Sequence, residues 1–207
     1  QKNLLEGRVI LITGATQGLG KACALSLSSF GATVVIHGRD INKLEKVYDQ
    51  ILEQNGREPL AITLDFDQAE ESDFLKMASE IEKQLGGLDG IIHNAVHLNK
   101  LSPLRYQSLR SWQTTMNVNL LAPAAINRAC LDILLESEDA SVIHVSEDHA
   151  DQNSTYWAQY AASKKALEVL AHTQAKELIH NSTIRSNILV PGAIKTATHQ
   201  RAYPGEA

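Results

Sequence analysis

The sequence predicts an α/β fold in which a doubly wound parallel sheet is covered by helices on both faces. Short apolar runs alternate with longer segments that have helical spacing. The apolar runs are nearly continuous, as in strands buried on both faces, and their alternation with helices is typical of right-handed crossovers in a parallel sheet. The length of 207 residues suits one domain, since domains average roughly 150 residues. We therefore predict a single domain over 1–207.

Short apolar runs predict six strands. They are Arg8–Thr13, Thr33–His37, Leu60–Leu64, Leu88–His93, Ser141–Ser146 and Ile184–Val190. The last of these runs ends shortly before the chain does, so we expect that a further C-terminal strand of the sheet is missing from this chain.

Five helices are predicted between or after these strands. The third shows the pattern well, because its apolar residues stand at 74, 75, 77, 78, 81 and 85, which is helical spacing. The predicted helices are Leu19–Phe30, Ile41–Asn55, Glu70–Leu85, Ser111–Leu135 and Tyr156–His180. Pro123 lies inside the fourth helix and predicts a kink or an early break there. Residues 96–107 are predicted to form a loop.

Composition excludes several classes of function. The formal net charge of −5 argues against nucleic acid as a partner, because phosphate binding needs a basic face. No apolar run approaches the roughly 18 residues that cross a membrane. Cys23 and Cys130 lie far apart in helical patterns. We interpret them as buried free thiols, which favours a reducing compartment and a cytoplasmic location.

A glycine-rich segment, ITGATQGLGKA, directly follows the first strand. Glycine allows tight turns and close approach of the backbone to a ligand. The helix that begins near Leu19 would direct its free N–H groups and the positive end of its dipole at a pyrophosphate. The glycines are Gly14, Gly18 and Gly20, with the spacing G-x-x-x-G-x-G rather than the common G-x-G-x-x-G.

With Thr13 before it, this spacing resembles the short-chain dehydrogenase/reductase family. Further motifs follow in the order of that family: HNAV at 93–96 looks like N-N-A-G, MNVNL at 116–120 looks like its helix asparagine motif, Tyr160-Ala-Ala-Ser-Lys164 matches Y-x-x-S-K, and VPGAIKT at 190–196 looks like P-G-x-x-x-T. The resemblance covers about residues 7–200. The segments HGRD, DGIIHNA, WAQYAASK and TATHQRAYP resemble the YciK type of bacterial members.

The resemblance implies a Rossmann-type oxidoreductase that interconverts a carbonyl and an alcohol by hydride transfer. It also implies a small-molecule substrate, no catalytic metal and a homo-oligomer. Two alternatives stay open: a catalytically impaired dinucleotide-binding protein, and a structural subunit that uses the fold without a cofactor. The intact phosphate-loop glycines argue against the second.

The end of the second strand bears on the choice of cofactor. An acidic residue there would hold the ribose hydroxyls of NAD(H) and repel a 2′-phosphate. Here the residues are His37, Gly38 and Arg39, and an arginine can bind a phosphate through two hydrogen bonds. We therefore predict NADP(H) rather than NAD(H). The alternative is that Arg39 only caps a solvated turn and is neutralised by Asp40.

The resemblance also implies where the cofactor would lie. Asp65 and Phe66 would flank its adenine, Asn94 and Ala95 its ribose, and Pro191, Gly192 and Thr196 its nicotinamide. Val96 stands where the family has the glycine of N-N-A-G, which crowds that loop. The complete predicted cofactor set is Gly14, Thr16, Gln17, Gly18, Leu19, Gly20, Arg39, Asp65, Phe66, Asn94, Ala95, Tyr160, Lys164, Pro191, Gly192 and Thr196.

Tyr160 and Lys164 are predicted to form the catalytic pair. Being four residues apart, they share one helical face. A phenol has an ordinary pKa near 10, and we expect the neighbouring ammonium to lower it so that the phenol can exchange a proton with a carbonyl oxygen. By resemblance, Asn119 is the structural and proton-relay asparagine. Asn117 is the alternative for that role.

The fourth catalytic group of the family is a hydroxyl at the end of the fifth strand, about thirteen residues before the tyrosine. Glu147 stands at that distance, and Ser146 stands one residue further away. Since successive side chains of a strand point to opposite faces, only one of the two faces the site unless the strand has ended. We favour Ser146 on chemical grounds. The neighbouring acids and histidine (Glu147, Asp148, His149 and Asp151) are interpreted as a solvated or substrate-facing loop rather than a metal site.

Overall fold

Six parallel strands form one sheet in the order β3-β2-β1-β4-β5-β6. The computed structural model describes residues 3–148, 154–180, 183–203 and 205. The strands are β1 (Val9–Ile12), β2 (Thr33–Gly38), β3 (Leu60–Thr63), β4 (Gly90–His93), β5 (Ser141–Val145) and β6 (Arg185–Leu189). The predicted fold class is confirmed, and the predicted strands agree with these bounds to within two residues at each end.

Helices connect the strands. They are α1 (Gly18–Ser29), α2 (Ile41–Glu53), α3 (Glu71–Leu85), α4 (Leu109–Met116), α5 (Ala122–Ala129), α6 (Leu131–Leu135), α7 (Ala158–Leu178) and α8 (Ala197–Ala202). Side-chain caps fix several of their first turns. The Asp40 carboxylate accepts a hydrogen bond from the Lys43 N–H at the start of α2, and the Ser108 hydroxyl accepts one from the Ser111 N–H at the start of α4, as expected for N-cap residues.

The core has two parts, one on each face of the sheet. Neighbouring residues of β1 point to opposite faces, so that Leu11 packs in one part and Ile12 in the other. The Ile12 side is covered by α1 and α2 through residues such as Ala24 and Leu44. The Leu11 side is covered by α3, α5 and α6 through residues such as Ile81. This arrangement explains why the central strands β1, β2 and β4 are mostly apolar.

The predicted long helix Ser111–Leu135 is divided in the structure. After α4 the chain forms a π-helical turn over Asn117–Leu121 before α5 begins. Pro123 lies in the first turn of α5, where a missing N–H costs nothing. The expected interruption therefore occurs, but it is the π turn ahead of the proline. The predicted loop 96–107 contains a short 3-10 turn at Leu104–Tyr106, and α8 was not predicted.

The order of the strands places a crevice at the carboxyl ends of β1 and β4. The chain runs outward from β1 to β3, then returns to pair β4 with the other side of β1. Ligands of open α/β sheets bind at the carboxyl ends of the strands at such a switch point. Among the described residues, no helix is both long and apolar enough to cross a bilayer. Cys130 is a buried free thiol as predicted, whereas the free thiol Cys23 is only partly buried.

Candidate active site

The phosphate loop between β1 and α1 packs closely against the loop after β4. Gly14 has φ +67°, and a Cβ on it would lie 2.8 Å from the Ala95 Cα. A Cβ on Gly20 would lie 2.4 Å from the Asn94 Nδ2. That amide donates hydrogen bonds to the carbonyl oxygens of Thr13 and Gly14, at 3.0 and 3.1 Å. Larger residues at these two glycines would separate the loops.

The Thr13 side chain joins β1 to β4. Its hydroxyl oxygen accepts hydrogen bonds from the N–H groups of Asn94 and Ala95, both at 3.0 Å, and the hydroxyl donates to the Ile92 carbonyl at 3.3 Å. Asn94 and Ala95 are therefore fixed above the phosphate loop, where the sequence predicts that they line a cofactor site.

His37, at the end of β2, supports the same loop from the other side. Its Nδ1 accepts a hydrogen bond from the Gly14 N–H at 3.4 Å, and its Nε2 lies 3.0 Å from the Leu64 carbonyl oxygen. A carbonyl only accepts, so the proton of the ring is on Nε2. The ring stacks on Phe66 with 4.1 Å between centroids. Burial lowers the pKa of His37 to about 4, which keeps the ring neutral.

The first turn of α1, which follows β1, has free N–H groups that suit an anion. The first turn of α1 begins at Gly18 without an acidic residue, and the N-cap Gln17 forms no side-chain hydrogen bond with it. The backbone N–H groups of this first turn are donors of the kind that bind phosphate at helix N-termini. Arg39 lines the cavity beside this turn. The neighbouring Gly38 leaves room for Thr16, whose Cγ2 would lie 2.5 Å from a Cβ at that position.

Tyr160 and Lys164 lie one turn apart on α7, and both line the cavity. The Lys164 ammonium is buried, donates a hydrogen bond to the Val145 carbonyl at 2.7 Å, and lies 5.7 Å from the centre of the Tyr160 ring. Burial lowers the pKa of Lys164 to about 8, while the carboxylates of Glu147 and Glu168 oppose this effect. At neutral pH the side chain is therefore a cation.

The Tyr160 phenol differs from the expectation. Burial raises its pKa, and the negative charge of Glu147 raises it further. The predicted lowering by Lys164 is not found, because removal of the phenol from water and a nearby carboxylate both disfavour the phenolate. The phenol is consequently held in its protonated form.

Ser146 and Glu147 face different neighbours at the end of β5. Ser146 is buried, and its hydroxyl donates a hydrogen bond to the Glu168 Oε1 at 2.6 Å. The Glu147 carboxylate lies close enough to Tyr160 and Lys164 to change the pKa of both. The Ser146 hydroxyl lines the cavity and donates its hydrogen to Glu168, and Ser146 as the substrate donor stays a prediction.

Asn119 lies in the π turn and is buried. Its Oδ1 accepts a hydrogen bond from the His97 N–H at 2.7 Å, and its Nδ2 donates to the His97 carbonyl at 3.0 Å and to the Ser163 hydroxyl at 2.9 Å. Asn117 instead donates to Asp67. Asn119 is thus the asparagine that connects the loop after β4 with α7, behind the predicted catalytic pair.

A cavity of about 530 Å³ extends from the phosphate loop to Tyr160. Most of the predicted site residues line it: Gly14, Thr16, Gln17, Gly18, Leu19, Arg39, Phe66, Asn94, Ala95, Ser146, Tyr160, Lys164, Pro191, Gly192 and Thr196. Three do not. Gly20 packs under Asn94, Asn119 lies behind the wall, and the Asp65 carboxylate accepts a hydrogen bond from the Asp67 N–H at 3.1 Å.

Residues 8–207 match the family model described as short chain dehydrogenase. The chain belongs to the short chain dehydrogenase family. It is 34% identical over its whole length to the uncharacterized oxidoreductase YciK of Escherichia coli strain K12, of which it covers 81%. It is also 28% identical, over 94% of its length and 78% of the relative, to the NADPH-dependent pterin aldehyde reductase of Arabidopsis thaliana. The predicted resemblance to the family and to its YciK type is confirmed.

Solved structures of family members have the same fold. A short chain dehydrogenase from Pseudomonas syringae superposes with a TM-score of 0.97 at 37% identity, covering 100% of this chain and 84% of that one. One from Shigella flexneri, complexed with NADP, has a TM-score of 0.96 at 34% identity and coverages of 100% and 86%. One from Escherichia coli CFT073, complexed with NADPH, has a TM-score of 0.95 at 35% identity and coverages of 100% and 85%.

Several residues of this short chain dehydrogenase line the cavity without having been predicted to do so. They include His37 at the end of β2, and Thr198, His199 and Tyr203 on or directly after α8. A signal for α8 was present in the sequence. The Thr196 hydroxyl accepts a hydrogen bond from the His199 N–H, and threonine followed by residues that tolerate helix is a common N-terminal pattern.

The acidic segment after β5 is only partly described. Glu147 and Asp148 line the cavity, whereas His149 and Asp151 lie outside the described residues. Within residues 3–148, 154–180, 183–203 and 205, no group of three or more histidine, cysteine, aspartate or glutamate side chains could hold a metal ion.

Proposed function

We propose that this short chain dehydrogenase uses NADP(H) to interconvert a carbonyl compound and an alcohol by hydride transfer. The observation that supports this most directly is the position of Tyr160 and Lys164. Both line the cavity into which the phosphate loop and the N-terminus of α1 open. A proton donor, a buried cation and an anion-binding turn are thereby placed along one continuous cavity.

The residues present fit a dinucleotide phosphate. The cavity volume lies within the usual range for ligand sites, roughly 300–1,000 Å³, and the glycines leave the phosphate loop without side chains that would fill it. Arg39 is available for a 2′-phosphate, with the predicted cofactor set around it. Relatives complexed with NADP and NADPH favour the same choice. When bound, the cofactor supplies or accepts the hydride.

In the direction of reduction, the Tyr160 phenol donates its proton to the carbonyl oxygen. The phenol is protonated at neutral pH, as a proton donor must be, although its raised pKa makes it a weaker acid than a free phenol. The Lys164 ammonium, fixed by the Val145 carbonyl, supplies positive charge beside the phenol and can bind ribose hydroxyls. Asn119 holds the loop at His97 in place and positions the wall opposite α7.

The test is the Tyr160→Phe variant, assayed with NADPH and a panel of aldehydes and ketones. We expect turnover to fall at least about a hundredfold, because general acid catalysis contributes about 10²–10⁴-fold. NADPH affinity, measured by calorimetry, should change less than about threefold. Unchanged turnover would contradict the assignment. If the unmodified protein binds NADPH but reduces no carbonyl compound, the alternative of an impaired dinucleotide-binding protein would replace it.

We further propose that the whole chain acts as one dinucleotide-binding domain in a reducing, cytoplasmic environment. We also propose that it forms a homo-oligomer and does not bind nucleic acid. The two free thiols support the reducing environment, and the net charge of −5 argues against nucleic acid as a partner. Exposed apolar residues such as Leu109 and Leu121 support self-association. Sedimentation velocity would test it, and a monomer at micromolar concentration would contradict it.

A further inference from the structure

The substrate end of the cavity, formed by Glu147, Asp148, Trp157 and Tyr203 beside Tyr160, combines acidic and aromatic side chains. Glu147 directly follows Ser146, whose hydroxyl is turned to Glu168. The next side chain along the chain is therefore a carboxylate. A neutral hydroxyl would not discriminate between substrates by charge, whereas a carboxylate does.

The charge of Glu147 acts within the cavity. It raises the pKa of the Tyr160 phenol and opposes the loss of charge by Lys164. Asp148 adds a second carboxylate at the exposed mouth. Among the described residues that line this end, Lys164 is the single lysine or arginine, and its ammonium is held by the Val145 carbonyl.

Two histidines also line this end and must be included in the charge balance. The His97 Nε2 lies 3.1 Å from the Asn99 Oδ1, and the His199 ring packs on Tyr203 with 4.9 Å between centroids. On the α7 side, Glu168 lies behind Ser146 and also accepts a hydrogen bond from Lys165. Glu168 itself does not line the cavity, so the carboxylates at the substrate end are those of Glu147 and Asp148.

Aromatic rings form the wall next to these carboxylates. The Trp157 ring is buried and lies 5.6 Å from the Tyr160 ring in an edge-on arrangement. It lies 6.0 Å from the Tyr203 ring. The faces of tryptophan and tyrosine attract cations, and aromatic rings beside a carboxylate bind quaternary ammonium groups in particular.

We propose that this enzyme selects carbonyl substrates that bear a cationic ammonium group. Glu147 and the Trp157–Tyr203 ring pair bind that group while the carbonyl oxygen lies at the Tyr160 phenol. The inference rests on the proposed function, because it places the carbonyl at Tyr160. The negative charge of Glu147 also disfavours substrates that carry a carboxylate.

Three aldehydes of similar size provide the test. The probes are 4-(trimethylammonio)benzaldehyde, its neutral isostere 4-tert-butylbenzaldehyde, and the anionic 4-carboxybenzaldehyde. The readout is kcat/KM with NADPH, and the intrinsic reactivity of each aldehyde cancels in the ratio of variant to unmodified enzyme. We expect Glu147→Gln to lower the ratio of kcat/KM for the cationic aldehyde to kcat/KM for the neutral one about tenfold, because any effect on the Tyr160 and Lys164 pKa values is common to both substrates.

Glu168→Gln is the matched control. It removes the same charge from the same region, while its amide oxygen can still accept the hydrogen bond from Ser146. We expect the ratio of cationic to neutral aldehyde to change less than about twofold in this variant.

A binding measurement makes the test independent of turnover. Calorimetric titration of the full chain with benzyltrimethylammonium should show about tenfold weaker binding in Glu147→Gln and no change in Glu168→Gln.

The inference is overturned if the unmodified enzyme prefers the neutral or anionic aldehyde, or if both variants change alike. If turnover depends on Tyr160 but the cation preference is absent, the proposed function stands and this inference alone fails. If turnover does not depend on Tyr160, the proposed function fails and the calorimetric result decides cation binding.

Discussion

At the scale of single residues, Arg39 decides the predicted cofactor. It lines the cavity next to the open N-terminus of α1. We expect NADPH to bind more tightly than NADH, and Arg39→Ala to weaken NADPH binding about 10- to 100-fold, because a hydrogen bond to a charged group contributes about 1.5–3 kcal/mol. Affinity for NADH should not change. Arg39→Lys keeps the charge without the two-pronged geometry and should be intermediate. Equal calorimetric affinities in the unmodified protein would contradict the prediction.

Ser146 provides a second prediction at this scale. Its hydroxyl hydrogen is donated to Glu168, so Ser146→Ala should lower kcat less than about tenfold. Removing a donor that stabilises the reacting oxygen costs about 10²–10³-fold. A loss of that size, measured at saturating substrate with an unchanged far-ultraviolet spectrum, would show that Ser146 is the substrate donor.

The sequence predicts that only one of Ser146 and Glu147 faces the site unless the strand has ended, and both line the cavity because β5 ends at Val145. Tyr160 and Lys164 follow from a motif of five adjacent residues. The direction of the Ser146 side chain depends on Glu168, which is 22 residues away and belongs to no motif. The raised pKa of Tyr160 was missed for the same reason, since burial and the approach of Glu147 are properties of the folded chain.

At the scale of secondary-structure elements, the π turn shows where periodicity is insufficient. The spacing in Ser111–Leu135 predicts one helix with a break at Pro123. The structure departs from helical hydrogen bonding six residues before the proline, beginning at Asn117. The Asn119 amide is bound to the main chain of His97 and to Ser163. These partners belong to another loop and another helix, so the local sequence could not reveal the turn.

Asn119 should therefore contribute more to stability than Asn117. Asn119→Ala removes the partners of the part-buried N–H and carbonyl of His97, and each such group costs about 1–3 kcal/mol. We expect the free energy of unfolding to fall by about 2–4 kcal/mol. Asn117→Ala, the matched control in the same turn, should cost about 1 kcal/mol because Asp67 keeps its hydrogen bonds from Arg110 and Thr114. Urea denaturation measures both, and equal losses would contradict the special position of Asn119.

At the scale of the whole molecule, the sheet and the place of its cavity follow from the sequence. Strand–helix alternation predicts the parallel sheet, and the return of the chain to β4 places the ligand crevice at the switch point. The far wall of the cavity was not predicted. Tyr203 meets Trp157 only because α8 folds back over the start of α7, and such a contact has no periodic signature in the sequence.

Three histidines are buried in the part of the chain that the structure describes: His37, His93 and His144. The ring centroids of His93 and His144 lie 4.9 Å apart, and the Asn127 side-chain amide hydrogen-bonds to both rings. Burial lowers the pKa of His93 to about 3, with a further contribution from His144. Burial also lowers the pKa of His144 and of His37 to about 4. All three are therefore neutral in the folded protein across the physiological range.

These pKa values predict that acid destabilises the fold. An unfolded histidine binds a proton near pH 6.5, whereas each folded one resists it until about pH 4 or below. The unfolded state therefore binds more protons between these values, and the free energy of unfolding falls as the pH falls through this window. From pH 6.5 to pH 5 the loss is about 2 kcal/mol for each histidine. His93→Asn should reduce the loss by about a third, whereas substitution of the exposed His172 should not. Urea denaturation at pH 7 and pH 5, followed by tryptophan fluorescence, measures the difference. Equal stability at the two pH values would show that protons reach these rings without unfolding, and the same loss in His93→Asn would exclude His93 as a source.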